Sequence, residues 1–349
     1  MSGALRISVL DQSPISEGAT AGDALRNSID LARHAESLGY TRYWVAEHHG
    51  TPMLACAAPE VLLGPLAAAT SRIRIGSGGV MLPHYSPLKV AETFSMLSAL
   101  APGRVDLGLG RAAGTDPRTT FALQRDRRQA APDDFPSQLV ELSGYFDRTL
   151  PADHPFAKLV PLYGSGERPD LWLLGSSPQS ALWAADLGLP YAFADFISPG
   201  GEAIMANYRD RFIPSPHLSA PRGIVALWAL CADTDAEAQQ LAASSRMAFT
   251  LFQRGELIPV PPIDRALAFL AEPSREVFPV VRRRRSIVGR ASTVASEIRA
   301  VAAEYAVDEV MIVTITYEHA ARRRSYELLA QEFGAGSAAV AGDVSSARR

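Results

Sequence analysis

The chain predicts a (β/α)8 barrel of the α/β class, and three features carry that expectation. Amphipathic helical stretches alternate with short apolar runs, the runs number eight, and the residues with chemical potential follow several different runs rather than one. The alternation is clearest in four copies. In the first, Leu25, Ile29 and Ala32 form one stripe with Leu31, Ala35 and Leu38 beside it, Gly39 stands as the C′ residue, and Tyr43 to Ala46 follow as a strand. Leu97 to Leu100 precede Val105 to Leu109, Ala184 to Gly188 precede Tyr191 to Ala194, and Ile298 to Tyr305 precede Val310 to Ile315. Leu5 to Leu10, Ile73 to Val80, Leu171 to Leu174 and Ile224 to Cys231 complete the eight. Strands that alternate with helices pair in parallel and are covered on both faces. An open doubly wound sheet is the rival, but it gathers its chemistry at one switch point.

Two stretches break the rhythm. Residues 112 to 169 follow the fourth strand and residues 246 to 292 follow the seventh, both rich in proline, and excursions of that length predict insertions lying over the pocket. Residues 1–333 read as a single domain, and the small, polar residues 334–349 as a disordered tail.

Bulk composition narrows the function. The 349 residues are 47% apolar and 20% charged, with a net charge of -3, so no global positive field exists to hold nucleic acid or an anionic membrane. Arg282 to Arg285 form the one basic block, and without interleaved aromatic residues they read as a solvated loop. Small molecules are the expected partners. Cys56 and Cys231 stand alone among apolar residues, which predicts buried thiols and a reducing cytoplasm, and neither a leader segment nor a membrane span is visible.

Candidate chemistry follows the strand ends. Glu47-His48-His49 comes directly after the second strand, where a titratable pair can act as acid or base near neutral pH, although a satisfied structural histidine has the same appearance. No Cys/His cluster or H-E-x-x-H completes a metal site. The third strand carries Gly76, Gly78 and Gly79 where bulk is usual, which points to a bulge or a flat ligand against bare backbone, or to packing under a neighbour. Gly108, Gly110 and Gly114 have the wrong spacing for a dinucleotide fingerprint, while Arg111 offers a guanidinium fork to a phosphate or to a surface carboxylate. After the fifth strand, Ser177 can cap a helix that begins at Pro178, with the hydroxyls of Ser176 and Ser180 nearby, an anion site or an ordinary capped helix. Arg111 and this helix start belong to neighbouring strands of the barrel, so one phosphate can touch both. Asp11 reads as a turn former with Ser13 and Pro14.

These residues resemble the bacterial luciferase-like monooxygenase family, over nearly the whole chain from Ile7 to about Phe333. The resemblance rests on Ala46-Glu47-His48-His49, on Gly76 to Pro87, on Gly103-Arg104 through Arg111, on Gly175-Ser176-Ser177 with Trp183-Ala184-Ala185, and on Asp308 to Met311. It implies a homodimeric (β/α)8 enzyme that binds reduced FMN supplied by a separate flavin reductase, forms a C4a-hydroperoxide with O2 and oxygenates a small molecule, some members serving natural-product pathways. It further implies that Arg111, Ser176, Ser177 and Ser180 hold the FMN phosphate, that His48 is the active-site histidine with His49 beside it, and that Gly78-Gly79 form a cis peptide under the flavin ring. Gly110, where the light-emitting enzymes have cysteine, departs from them. An F420-dependent hydride-transfer enzyme on the same fold, a non-catalytic flavin carrier and a sugar-phosphate barrel enzyme stand as alternatives.

Overall fold

The computed structural model describes residues 5–112, 115–124, 127–128, 134–272 and 286–335. The basic block Arg282 to Arg285, most of the tail and Gly114 lie outside them. Among the described residues, eight parallel strands close on themselves. They are β1 (Arg6–Asp11), β2 (Arg42–Val45), β3 (Arg74–Met81), β4 (Val105–Gly110), β5 (Asp170–Gly175), β6 (Tyr191–Ala194), β7 (Gly223–Ala232) and β9 (Glu309–Val313), paired in that circular order, with β9 meeting β1. The barrel expectation is met, and every run marked in the sequence is a strand of the ring.

A ninth strand, β8 (Ile287–Arg290), was not legible. It pairs only with Ala229–Ala232, the part of β7 that overhangs the ring, so it is too short and too local to leave a pattern. The two excursions carry helices of their own. Between β4 and β5 lie α4 (Pro117–Leu123) and α5 (Phe135–Asp147), and after β7 come α8 (Asp235–Gln253) and α9 (Ile263–Ala271).

The helices form where the sequence supplies both a buried stripe and end signals. In α1 (Ala21–Ser37), Thr20 and Asp23 make a reciprocal capping box, and Ala24, Ser28, Leu31, Ala32 and Ala35 are buried at helical spacing. Gly39 takes φ of +83° just past its end, a left-handed conformation glycine adopts without a Cβ clash. Strand residues alternate sides. Tyr43 and Val45 pack outward against helices, whereas Trp44 and Ala46 point inward with Leu10, Trp172, Ile224 and Met311 to fill the barrel.

Below that apolar interior sits a buried ionic layer. Arg42, 1% exposed, binds Asp106 at 2.6 Å and Glu309 at 2.8 Å, both carboxylates being fully buried. Arg74 also reaches Asp106, Arg6 lies 3.4 Å from Glu309, and Ser8 donates its hydroxyl to Glu309. Burial works against the charged guanidinium, yet Asp106 and Glu309 beside it hold Arg42 charged. The guanidinium also lies over the Trp172 ring at 4.9 Å. Removing one member strands the others without hydration, so Arg42→Leu should lower unfolding free energy by about 3–5 kcal/mol. Urea denaturation of the variant beside the parent would check this.

Candidate active site

Among the described residues, two adjoining cavities lie at the C-terminal ends of the strands, where barrel chemistry is placed. The first, about 320 Å³, has an apolar floor of Leu10, Trp44, Leu174 and Met311. Trp44 and Trp172 meet edge to face with centroids 5.4 Å apart, and Trp44 Nε1 donates to Asp106 Oδ2 at 2.9 Å, tying this floor to the ionic layer.

One wall is bare backbone. Gly78 and Gly79 line the cavity and are joined by a cis peptide bond, and the β3–β4 register slips between Gly78 and Val80, which makes Gly79 the extra residue of a bulge. Packing accounts for part of the glycine run. A Cβ on Gly76 would stand 2.6 Å from the Asp106 carbonyl, and one on Gly79 2.7 Å from that of Gly108. Glycine is therefore required by close strand approach at Gly76, while Gly78 and Gly79 also face the open space.

The polar end of this cavity gathers the residues expected to hold an anion. Arg111, Ser176, Ser177 and Ser180 all line it, brought together because β4 and β5 pair in parallel. Arg111 is exposed, has no ion pair among the described residues, and places its guanidinium over the Trp183 ring at 5.4 Å. Ser177 caps α6 (Pro178–Asp186) by accepting the Ser180 N–H, with Pro178 in the first turn. Ser180 is turned inward. Its hydroxyl donates to the Ser177 carbonyl and pairs with the Tyr191 hydroxyl, each at 2.9 Å, in the space that Gly175 leaves by lacking a Cβ. Arg111, Ser176 and the start of α6 are thus the groups with donors to spare, at one end of an otherwise apolar slot. That donor set suits a flat aromatic group with an anionic tail.

The second cavity, about 410 Å³, shares Phe196 and Ile197 with the first and is otherwise lined by the β1 and β2 ends, by Met53 and Leu54, by Trp228 of β7, by Ile315 after β9 and by α8. The Phe196 N–H is held by the Ala226 carbonyl of β7. His48 faces this cavity. Burial, with His49 adding to it, lowers its pKa to about 4, and its Nδ1 is buried without a hydrogen-bond partner. Near pH 7 it is a neutral imidazole, able to donate from one nitrogen and accept at the other. His49 is placed elsewhere. Its Nε2 lies 2.7 Å from the buried Glu47 carboxylate, which also accepts the Met81 N–H and the Tyr85 hydroxyl, and it lines neither cavity. Glu47 and His49 therefore brace the β2 and β3 ends. His84 stacks its edge on His49, at 5.9 Å, and is likewise absent from both linings.

Asp11 fulfils its turn role, accepting the Ser13 N–H at 2.6 Å, and is also bound by Arg322 of α11 (His319–Phe333) and by the Tyr43 hydroxyl. Cys56 and Cys231 are buried free thiols, with burial raising their pKa to about 12 and about 11. Sequence reasoning missed Gln12, Trp44 and the α8 residues Ser245, Ala248 and Gln253. The only signal for Trp44 was its alternation with Tyr43 and Val45, whereas the α8 residues from 246 on fall in the excursion expected to lie over the pocket, without any sign of which of them would line it.

Comparison with known proteins places this architecture. A family profile described as luciferase-like monooxygenase matches residues 5–309. A luciferase-like monooxygenase of Escherichia coli K12 is 42% identical over 325 residues, 93% of this chain and 96% of that protein. N-acetyl-S-alkylcysteine monooxygenase of Bacillus subtilis is 39% identical over 330 residues, 93% and 97%. The crystal structure of apo-MsnO8 superposes with a TM-score of 0.87 at 40% identity, covering 95% of this chain and 98% of that one. The chain belongs to the luciferase-like monooxygenase family. The fold alone is shared with a type II Baeyer–Villiger monooxygenase component in complex with FMN (19% identity, TM-score 0.69) and with an F420-dependent secondary alcohol dehydrogenase (15%, 0.64). No helix among the described residues is long and apolar enough to cross a membrane.

The low pKa of His48 makes a pH prediction with a definite sign. The folded state keeps the imidazole neutral down to about 4, whereas the unfolded chain protonates it near its ordinary value of 6.5. Between those values the unfolded state binds the extra proton, so this group's contribution is full above pH 6.5 and is lost as pH falls toward 4. The loss should reach about 3 kcal/mol. Denaturation profiles across that window should show a shallower acid slope for His48→Gln than for the parent.

Proposed function

We propose that the protein is a two-component monooxygenase that takes reduced FMN from a separate flavin reductase and uses O2 to oxygenate a small organic molecule. The observation that carries this reading is the first cavity, an apolar slot with a bare glycine wall that ends on Arg111, Ser176 and the start of α6. A flavin ring fits the apolar part and its phosphate the polar end, where Arg111 can give a forked pair of charge-assisted hydrogen bonds. Bound reduced FMN supplies the two electrons that O2 activation needs.

The chain's own residues do the rest. Leu10, Trp44, Leu174 and Met311 keep water from beneath the ring, and Phe135 of α5 and Phe196 narrow the sides. His48, neutral and facing the adjoining cavity, holds a proton at one ring nitrogen for a substrate oxygen or hydroxyl. The presence of an N-acetyl-S-alkylcysteine monooxygenase among the relatives supports oxygen transfer to a small organic substrate.

Anaerobic titration with photoreduced FMN and with reduced F420, each followed by an oxygen pulse, tests the reading. Saturable FMNH2 binding and flavin-dependent oxygen consumption are expected. Preference for F420 without oxygen uptake would make the protein a hydride-transfer enzyme instead. Arg111→Gln should weaken FMNH2 binding by about 10- to 100-fold, while riboflavin, which lacks the phosphate, should bind both forms alike.

A further inference from the structure

A third cavity, of about 790 Å³, lies at the opposite, N-terminal face of the barrel. It is bounded by the starts of β1, β7 and β9 and by α7 (Glu202–Arg211) and α10 (Ala291–Glu304), and it shares no described lining residue with the other two. Arg6, Arg209, Arg222 and Arg299 line it, and Asp308 is the one acid among its described lining residues.

The ionic layer accounts for two of these arginines. Arg6 binds Asp308 at 3.0 Å and faces Glu309, which Arg222 also faces at 3.7 Å, while Arg42 and Arg74 pair with Asp106, and Arg74 with Asp170. Four arginines of the layer thus meet four carboxylates. Arg209 and Arg299 come in addition to them. Arg209 Nη1 donates to the carbonyl of Tyr305, the C-cap of α10, at 2.7 Å. Arg299 Nη2 donates to the Glu332 carbonyl near the end of α11 at 2.7 Å, and its guanidinium lies over the Phe333 ring at 4.6 Å. Helix capping uses one of the five N–H groups on each guanidinium and sets a neutral carbonyl against a full positive charge. It does not require that both arginines line one space with Arg6 and Arg222. Burial lowers the Arg222 pKa and the Arg42 and Arg6 guanidiniums push it the same way, against Glu309 and Asp106, so a further negative charge beside it relieves that repulsion. Leu5, Met205 and Val307 give the same cavity an apolar flank.

We propose that this cavity binds a phosphate monoester, its dianionic phosphate held by Arg209, Arg222 and Arg299 and its organic group lying on Leu5, Met205 and Val307. Such an ester carries close to two negative charges at pH 8, its second pKa being roughly 6. That charge matches the two arginines that the layer leaves without a carboxylate, and planar guanidiniums suit phosphate oxygens. The site stands apart from the flavin reading, with the whole barrel between it and Arg111.

Calorimetric titration of the full-length protein at pH 8 and low ionic strength with phenyl phosphate, inorganic phosphate and benzenesulfonate tests this. Phenyl phosphate should bind saturably, the monoanionic sulfonate about tenfold or more weakly, and inorganic phosphate, which lacks the ring, about threefold or more weakly. Arg209→Gln and the exposed Arg299→Gln should each weaken phenyl phosphate by about three- to tenfold, with melting curves by circular dichroism to show that both variants fold. Arg111→Gln should leave that binding within about twofold. No saturable binding, sulfonate as tight as phenyl phosphate, or binding that both Arg209→Gln and Arg299→Gln leave unchanged would overturn the proposal. Inorganic phosphate binding as tightly as the ester would overturn it in favour of free phosphate, and loss on Arg111→Gln alone would move the anion to the first cavity.

Discussion

The contact on which the rest of the structure hangs is the buried pairing of Arg42 with Asp106 and Glu309. It links β2, β4 and β9, which are not adjacent around the ring, through the barrel's centre. Ser8, Trp44 and Arg74 supply further hydrogen bonds to the two carboxylates, while Glu309 Oε2 has no hydrogen-bond partner and is faced by Arg6 at 3.4 Å and Arg222 at 3.7 Å. Such a layer adds little net stability over an apolar plug of the same volume, but it tolerates one arrangement of strands and penalises others. Trp172, with Arg42 at 4.9 Å and Arg222 at 5.1 Å from its ring, carries that order upward into the apolar interior.

Above the ionic layer, a second principle operates: each strand end that faces the cavities is braced from outside them. Asp11 is bound by Arg322, Tyr43 and Ser13, which leaves Gln12 directed to the second cavity. Glu47 is bound by His49, Tyr85 and the Met81 N–H, which leaves His48 directed to the same place. In both cases a buried, fully bonded carboxylate fixes the backbone one residue before a side chain that lines the second cavity. Rigid support of this kind holds a cavity-facing side chain in one orientation, and it leaves His48 Nδ1 buried without a hydrogen-bond partner.

Much of this was legible in the sequence, and the limits have physical causes. Strand and helix periodicity located all eight ring strands, and turn chemistry located Gly39 and the Ser177 cap, because those signals are local. The gathering of Arg111 with Ser176 followed from strand adjacency alone. Ser180 was harder, since its inward turn depends on the missing Cβ of Gly175 and on Tyr191, a strand away. The roles of His48 and His49 separate only once Glu47 is placed, since neighbouring histidines look alike in sequence. Arg6, Arg42, Arg74 and Glu309 each open a strand with a charge, a pattern that in retrospect marks the ionic layer. The excursion from residue 246 was expected over the pocket, and α8 does line the second cavity, but which of its residues do so was not legible, because an amphipathic helix does not announce which of its residues meet a pocket.

The shared wall has a consequence for how the two cavities can be altered. Phe196 and Ile197 border both cavities, whereas Ala248, Phe252 and Gln253 on α8 border only the second. Substitutions on α8 can therefore reshape the second cavity without touching the lining of the first, and any change at Phe196 alters both. Changes at those α8 residues leave the glycine wall and the guanidinium end of the first cavity untouched.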